Sequence, residues 1–509
     1  MTICGLDSSP ESITDPSYGP ASTSDFESGT SQSRYLGLTV FFLAYALVYA
    51  FRSELALRDP DTLWHIRTGQ WMLENVQWPN SDIFSWTFLG EPWIAKEWLS
   101  QVVLTIAYQL GGWHGVAALT AAIYAAIAAT LAVYLIRFLR FSIAIGLAGV
   151  TVLLISPHFL ARPHLLAYLL LSIWLISILN SLDGNKPLPL GLAALMLLWA
   201  NVHSTFVLGL ALFSIPAIFV FARSFMNHDF SAAKWAVTIA VIVSVAGICT
   251  PYGLGPLVLT WKIMGMKAMM NNLIEWHPPN FREYPAALFF IVAFVTLISG
   301  LGIKLCLPRL GILAMATWLG FSYTRGFILF LLIVPLIIAF PSAQQVPVLK
   351  AQRINESNDA VVRFFYQHAR SVALLCCGLA IIASVFSWHF RELEPPLSVA
   401  PNEAIKYVKE ADIKGRVFNS YDFGGYLIFS GIPTFVDGRA DLYGDDFLRR
   451  YFAAINLEDQ TASFALLDDY KIDWAILRPS DPLTKALHAS MTWLNVYSDE
   501  SAAVFVRGH

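Results

Sequence analysis

Charge is scarce in this chain. Asp, Glu, Lys and Arg make up 14% of its 509 residues, against 56% for the apolar types, whereas a soluble domain carries nearer a quarter charged. That balance excludes an ordinary soluble domain and points to the membrane class. The 33 basic and 36 acidic residues leave a net charge of -3, so there is no basic stripe of the kind nucleic acid needs, and nucleic acid is excluded as a partner. Cysteine is also scarce. None of the five lies in the polar C-terminal segment, which leaves that segment without a disulfide framework, and no zinc spacing occurs. A nucleotide-binding Gly-rich loop is missing as well. Mid-membrane charges are few and the halves of the chain are not duplicated, contrary to the usual transporter pattern.

What the chain has instead is apolar runs of bilayer length, recurring about eleven times. They fall near 35–51, 113–136, 142–157, 164–181, 188–202, 205–225, 234–251, 285–303, 310–323, 326–341 and 371–388. The expected fold class is therefore mainly α, a polytopic membrane protein over 34–389, with a C-terminal extracytoplasmic α/β domain over 390–509. Residues 1–33, rich in Ser, Thr, Pro, Gly and acidic types, bury too little apolar surface to fold and are expected to be a disordered cytoplasmic tail. The run Trp98–Leu110 is too short to cross; bounded by Gly111-Gly112, it suits a helix lying in the membrane interface.

Lys and Arg accumulate in cytoplasmic loops. With the N-terminus inside, Arg34, Arg137, Arg140, Lys186, Arg223, Lys234, Lys304, Arg309 and the 342–370 linker all fall on the cytoplasmic side. The expected location is the cell inner membrane, with the C-terminal domain periplasmic. The same assignment places the loop at 52–112, the turns near 158–163, 203 and 325, and the loop at 252–284 outside. Asp59, Asp61, His65, Glu97, His158, Arg162, His164, His203, Glu275, His277 and Arg325 thus share one face although six chain segments supply them. Ionisable groups at span ends are retained when they solvate, pair or serve chemistry.

In the first outer loop, Arg58-Asp59-Pro60-Asp61-Thr62 begins just after the first span. Pro60 heads an expected helix that Asp61 or Thr62 could cap, and Trp64, Ile66, Trp71 and Met72 give that helix an apolar side suited to the bilayer interface. The two carboxylates also have the spacing to hold a divalent cation, Mg or Mn, or to divide into a base and a stabiliser. Further along stand Lys96-Glu97-Trp98-Leu99 and then Gly111-Gly112. This order of an acidic motif after the first span, a Gly-Pro-rich connection and a short juxtamembrane helix ending in Gly resembles the first outer loop of the GT-C superfamily. That superfamily includes protein mannosyltransferases, oligosaccharyltransferases and lipid A aminoarabinose transferases. The chain departs from the better-known branches in having Glu97-Trp98-Leu99 where they often carry Pro-Pro-Leu.

The resemblance implies a glycosyltransferase that takes a sugar from a polyprenyl-phosphate carrier and passes it to a glycan, lipid or protein acceptor. Asp59 or Asp61 would serve as the base. Arg162 and Arg325 would offset charge on the departing phosphate, since the guanidinium fork suits phosphate, with His164 and His203 beside them on the donor side. His65, Glu97, Trp98, Glu275, Trp276 and His277 would attend to acceptor or sugar, Trp276 offering a stacking face. Two alternatives from other classes are a polysaccharide polymerase or ligase and a transporter or flippase of lipid-linked glycans.

After the last span the charge density becomes ordinary. Runs of period two at Arg416–Phe418, Thr434–Val436 and Trp474–Leu477 are expected strands, alternating with helices near 401–411, 446–456 and 461–471. Asn419–Tyr426 and Phe435–Gly444 concentrate glycine, polar and aromatic residues at strand ends, a composition of ordinary turns and equally of ligand-binding loops, whose functional reading is acceptor recognition over the membrane active site. Asp437 and Arg439 are placed to form a buried ion pair.

Overall fold

A computed structural model describes residues 23–283, 285–351 and 360–508. The first helix runs Thr23–Ala56, so it begins inside the stretch expected to be a tail; the rest of that stretch lies outside the described residues. Each expected apolar run forms a helix. Among the described residues, eight helices are long and apolar enough to cross a membrane, by length and composition. Three others fall short of that length: Gly191–Val202, Pro285–Gly300 and Leu307–Ser322, with 12, 16 and 16 residues. At 1.5 Å per residue the first of these spans about 18 Å, well under a hydrocarbon core of about 30 Å, so the expected count of about eleven full spans is reduced. The helix Thr324–Gln345 is almost wholly enclosed by its neighbours and forms the axis of the bundle.

The expected interfacial helix and the second span are one continuous element, Trp98–Ile136, broken at Gly111 (φ -151, ψ 18) and Gly112 (φ 54, ψ -142). A φ of +54 is strained for any residue with a Cβ, which explains why the bend falls at the glycine pair.

The two ends of the bundle differ in charge. At one end Arg137 donates to Asn180 at 2.9 Å, Arg309 pairs with Asp183, Lys304 exchanges bonds with Gln345, and Leu139 bridges to Lys350. The opposite end carries the C-terminal domain and the acidic turn.

The C-terminal sheet has four strands in the order β1-β2-β4-β3: β1 (Val417–Asn419), β2 (Trp474–Leu477), β3 (Trp493–Ser498) and β4 (Ala503–Arg507). β1 and β2 are parallel, and the other pairings are antiparallel. Helices Asn402–Glu410, Ala440–Ile455 and Gln460–Asp469 follow the expected pattern. Thr434–Val436 does not join the sheet. Thr434 pairs with the first loop instead, Trp86 N–H to the Thr434 carbonyl at 3.0 Å and Thr434 N–H to the Phe84 carbonyl at 3.2 Å, while the backbone of Phe435 and Val436 also bonds to the Asn419 side chain. Alternation marks a two-sided segment, and here the partner is a loop from more than three hundred residues away.

That loop and the domain are fastened by charge. Arg439, 1% exposed, lies between Asp437 at 2.7 Å and Asp82 of the first loop at 2.5 Å, and Tyr443 donates to Asp437 at 2.6 Å. Burial works against ionising Asp437, but Arg439 outweighs it and holds the carboxyl below its usual range. Lys96 to Asp441 at 2.9 Å and Ala268 N–H to Asp445 at 2.6 Å tie the two long loops to the Ala440–Ile455 helix.

Removing one partner from a buried ion cluster costs about 3–5 kcal/mol, because the remaining charges stay buried and unpaired. Arg439→Gln is therefore expected to lower the unfolding temperature of the detergent-solubilised protein and to expose the first loop to protease, whereas Arg449→Gln, an exposed pair with Asp446, changes neither. Equal thermal and proteolytic behaviour of the two variants would show that the cluster does not fasten the domain.

Candidate active site

The acidic turn is shaped by its own carboxylate. Asp59 accepts the backbone N–H of Asp61 at 2.8 Å, and Thr62 N–H reaches the Asp59 carbonyl at 3.3 Å. Neither Asp61 nor Thr62 caps the helix Asp61–Asn75 as expected from sequence. Thr62 instead donates its hydroxyl to the Ala161 carbonyl at 3.0 Å, and Ala161 N–H bonds to the Ala56 carbonyl at 2.8 Å. These two bonds clamp the 158–163 turn against the end of the first helix, and so deliver Arg162 to the acidic pair. The helix itself is buried on the side of Trp64, Ile66 and Met72. It packs between the Trp98–Ile136 helix and the C-terminal domain, a correction to the expectation that this side meets the bilayer.

Arg162 forks over both carboxylates, at 3.1 Å from Asp59 and in direct contact with Asp61. The second Asp61 oxygen accepts the Trp64 indole N–H at 3.0 Å. Glu275, from the 252–284 loop, approaches Arg162 at 3.4 Å with one oxygen and pairs with Arg325 through the other. Two guanidiniums from different turns thus converge on one carboxylate. Asp59 is 4% exposed; burial, opposed by Arg162 and reinforced by Asp61, raises its pKa to about 7. Arg162 goes the other way: burial disfavours its charge, but Asp59, Asp61 and Glu275 hold it well above the usual range.

A second group centres on Glu97. His203 reaches it at 3.2 Å and His65 at 3.7 Å. Thr205 N–H donates to His203 Nδ1 at 3.1 Å, which places the proton on Nε2, facing Glu97. His65 Nδ1 meets Gln101 at 3.1 Å. Burial lowers both imidazoles to about 3; Arg162 and Lys96 push each the same way, and for His65 Glu97 opposes the shift. Both are neutral at neutral pH.

The remaining expected residues divide. Trp276 has the Arg325 guanidinium 5.4 Å from its ring centroid on one face and Tyr323 edge-on at 5.8 Å. The Trp98 indole donates to Asn201 at 2.8 Å, a bond that joins two helix ends. His277 is exposed and its imidazole meets the Asn271 carbonyl at 3.0 Å, while its own carbonyl accepts from Thr324 beside Arg325. His164 packs on the Tyr168 ring at 5.2 Å, with its Nε2 buried and without a hydrogen-bond partner among the described residues. His158 is half-buried in the same turn as Arg162.

The C-terminal loops 419–426 and 435–444, whose functional reading from sequence is acceptor recognition over the membrane site, lie against the acidic turn, and the sequence did not identify which residues make the contact. A Cβ on Gly438 would come within 1.8 Å of Asp61 Oδ1, and one on Gly425 within 2.1 Å of the Pro60 carbonyl. Both glycines stand in strings that read as turns, and only the fold shows that their missing side chains make room for the site. Among the described residues, no three His, Cys, Asp or Glu side chains are grouped to hold a metal ion. Asp59 and Asp61 point at a guanidinium that takes the position a divalent cation would need, so their arrangement does not fit the Mg or Mn expectation.

No family model matches the chain, and no curated protein sequence matches it. Among solved structures it is similar to ArnT from Cupriavidus metallidurans bound to undecaprenyl phosphate, at 15% identity over 92% of this chain and 97% of that one, with a TM-score of 0.48. It is also similar to the apo oligosaccharyltransferase of Archaeoglobus fulgidus, at 12% identity over 87% of this chain and 69% of that one, with a TM-score of 0.44. The oligosaccharyltransferase AglB of the same organism, in complex with an inhibitory peptide and a dolichol-phosphate, gives 11% identity over 87% and 69%, with a TM-score of 0.47.

The Asp59 shift has a consequence for stability. Because the folded pKa is raised from 3.8 to about 7, the folded state binds the proton more tightly than the unfolded chain. The contribution to stability is full below about pH 4 and is lost as pH rises through about 7. Thermal unfolding between pH 5 and 8 is expected to show wild type losing stability relative to Asp59→Asn as pH rises. A constant difference across that window would mean that Asp59 has an ordinary proton affinity.

Proposed function

We propose that this chain is a GT-C-type glycosyltransferase, moving a sugar from a polyprenyl-phosphate carrier to a glycan, lipid or protein acceptor at the outer face of the cell inner membrane. The observation that carries this reading is the convergence of Arg162 and Arg325 on the Glu275 carboxylate beside a buried acidic pair. Two guanidinium forks facing one anion make a phosphate site, and in the unliganded protein the Glu275 carboxylate stands where that phosphate goes. The site lies at the end of the bundle opposite the Arg137–Lys350 cations, which the positive-inside rule assigns to the cytoplasm.

The chemistry follows from these groups. The acceptor's nucleophilic oxygen attacks the anomeric carbon and forms the new glycosidic bond. The carbon–oxygen bond to phosphate breaks, and its electron pair leaves on the phosphate oxygen. Arg162, largely buried, and Arg325, partly exposed, stabilise that developing charge. The acceptor's proton passes to the Asp59–Asp61 pair, and the raised proton affinity of Asp59 suits it to hold a proton near neutral pH. Glu275 must move off the two arginines for phosphate to enter, so the 252–284 loop that carries it acts as the entry segment.

With the purified full chain in nanodiscs, Glu275→Gln removes the competing anion and is expected to bind undecaprenyl phosphate about tenfold more tightly, a change of about 1.4 kcal/mol. Arg325→Gln, at a partly exposed position, is expected to bind it more weakly. In membranes, Asp59→Asn and Asp61→Asn are expected to abolish transfer from a radiolabelled polyprenyl-phosphate sugar. Full transfer by both Asn variants, or no response of lipid binding at either Glu275 or Arg325, would refute the proposal.

A further inference from the structure

The turn Tyr421–Phe423 of the C-terminal domain is not used by the chemistry above, yet it lies over the same site. It leads directly into Gly424 and Gly425, and Gly425 rests on the Pro60 carbonyl. Tyr421 is fixed by ring contacts with Tyr451 at 6.4 Å and Phe452 at 5.7 Å. Its neighbour Asp422 is held at 2.6 Å by Arg478. The Tyr421 hydroxyl is buried and has no hydrogen-bond partner in the protein, the one such side-chain atom among the described residues of this domain.

A buried hydroxyl left unpaired is destabilising, and phenylalanine would fill the same space without that cost. The hydroxyl is therefore accounted for by a partner that arrives with the ligand. Burial first, then the charges of Asp61, Asp437, Asp422 and Glu275, raise its pKa well above the usual range, so it acts as a donor and does not ionise. An uncharged donor of this kind suits a ligand hydroxyl, and the Arg162 and Arg325 guanidiniums suit the phosphate.

We propose that Tyr421 is a specificity-determining residue of this site, its hydroxyl donating to a sugar hydroxyl of the lipid-linked ligand from the roof formed by the C-terminal domain. This rests on the function proposed above. Sites built to bond a ligand hydroxyl discriminate strongly against its absence.

The test compares wild type and Tyr421→Phe, as full chains in nanodiscs, for binding of undecaprenyl phosphate and of a panel of undecaprenyl-phosphate hexoses and pentoses. Wild type is expected to prefer at least one sugar-bearing lipid over the bare phosphate, and Tyr421→Phe to reduce that preference about tenfold, the effect of one hydrogen bond. Without ligand, the Phe variant is expected to unfold at the same temperature as wild type or higher. An unchanged preference, a wild type without preference, or a less stable unliganded Phe variant overturns the role of Tyr421 while leaving the phosphate site standing. Failure of wild type to bind any of these lipids overturns the proposed function, and this inference with it.

Discussion

The sharing of Arg162 by Asp59 and Asp61 is the interaction on which the rest of the site depends. Two carboxylates buried at the end of the first span are tolerable only if their charge is answered, since an unpaired buried ion costs several kcal/mol. The answer comes from a turn a hundred residues away, and its position is set by the backbone. Ala161 N–H on the Ala56 carbonyl and the Thr62 hydroxyl on the Ala161 carbonyl leave Arg162 little choice of direction. Even with that guanidinium in place the compensation is incomplete, and the remaining imbalance appears as the raised proton affinity of Asp59. The raised proton affinity of Asp59 is thus what remains of an electrostatic problem that pairing only partly solves.

The C-terminal domain closes the same site from above. It is held through Arg439, whose two carboxylate partners come from the domain and from the first loop. The backbone of Thr434–Phe435 bonds to that loop as well. With the domain so held, Gly425 and Gly438 press on the acidic turn closely enough that no side chain would fit. Fastening and close approach go together, because a roof that must lie within van der Waals reach of Asp61 can be neither loosely tethered nor bulky. The 252–284 loop meets the domain through the Ala268 bond to Asp445 and through Met266 and Met269, which are buried in one apolar cluster with Tyr443 and Phe447, and it meets the arginines through Glu275.

Much of this was legible in the sequence, for definable reasons. Apolar runs mark helices wherever they occur, so each expected run formed one. The shortfall in span length at Gly191–Val202 and Leu307–Ser322 reflects helix ends, where composition says least. The glycine pair at 111–112 announced a bend because few residues adopt its backbone angles. Gathering of the charged outer turns could be inferred from loop polarity, but partners could not. Glu275 between Arg162 and Arg325, Trp98 bonded to Asn201, and Trp276 facing Arg325 all depend on helix rotation and loop path, which periodicity does not encode. The misreading of Thr434–Val436 as a sheet strand has the same origin, since alternation shows that a segment has two sides and leaves open what covers each one.

The Glu97 group shows how the site keeps its charge confined. His65 and His203 lie close enough to Arg162 to compete with it, and a protonated imidazole in either place would add positive charge beside the arginine fork. Burial prevents this, with Arg162 and Lys96 adding to the effect. Glu97, placed between the two rings, takes an N–H from His203 without drawing a full positive charge onto it. The histidines are thereby neutral near neutral pH, and the positive charge facing Glu275 comes from the two arginines. An anion site built on histidine would weaken as those rings lost their protons near neutrality. One built on guanidinium keeps its charge over the whole physiological range, and beside it Asp59 is a group whose proton affinity burial raises to near neutrality.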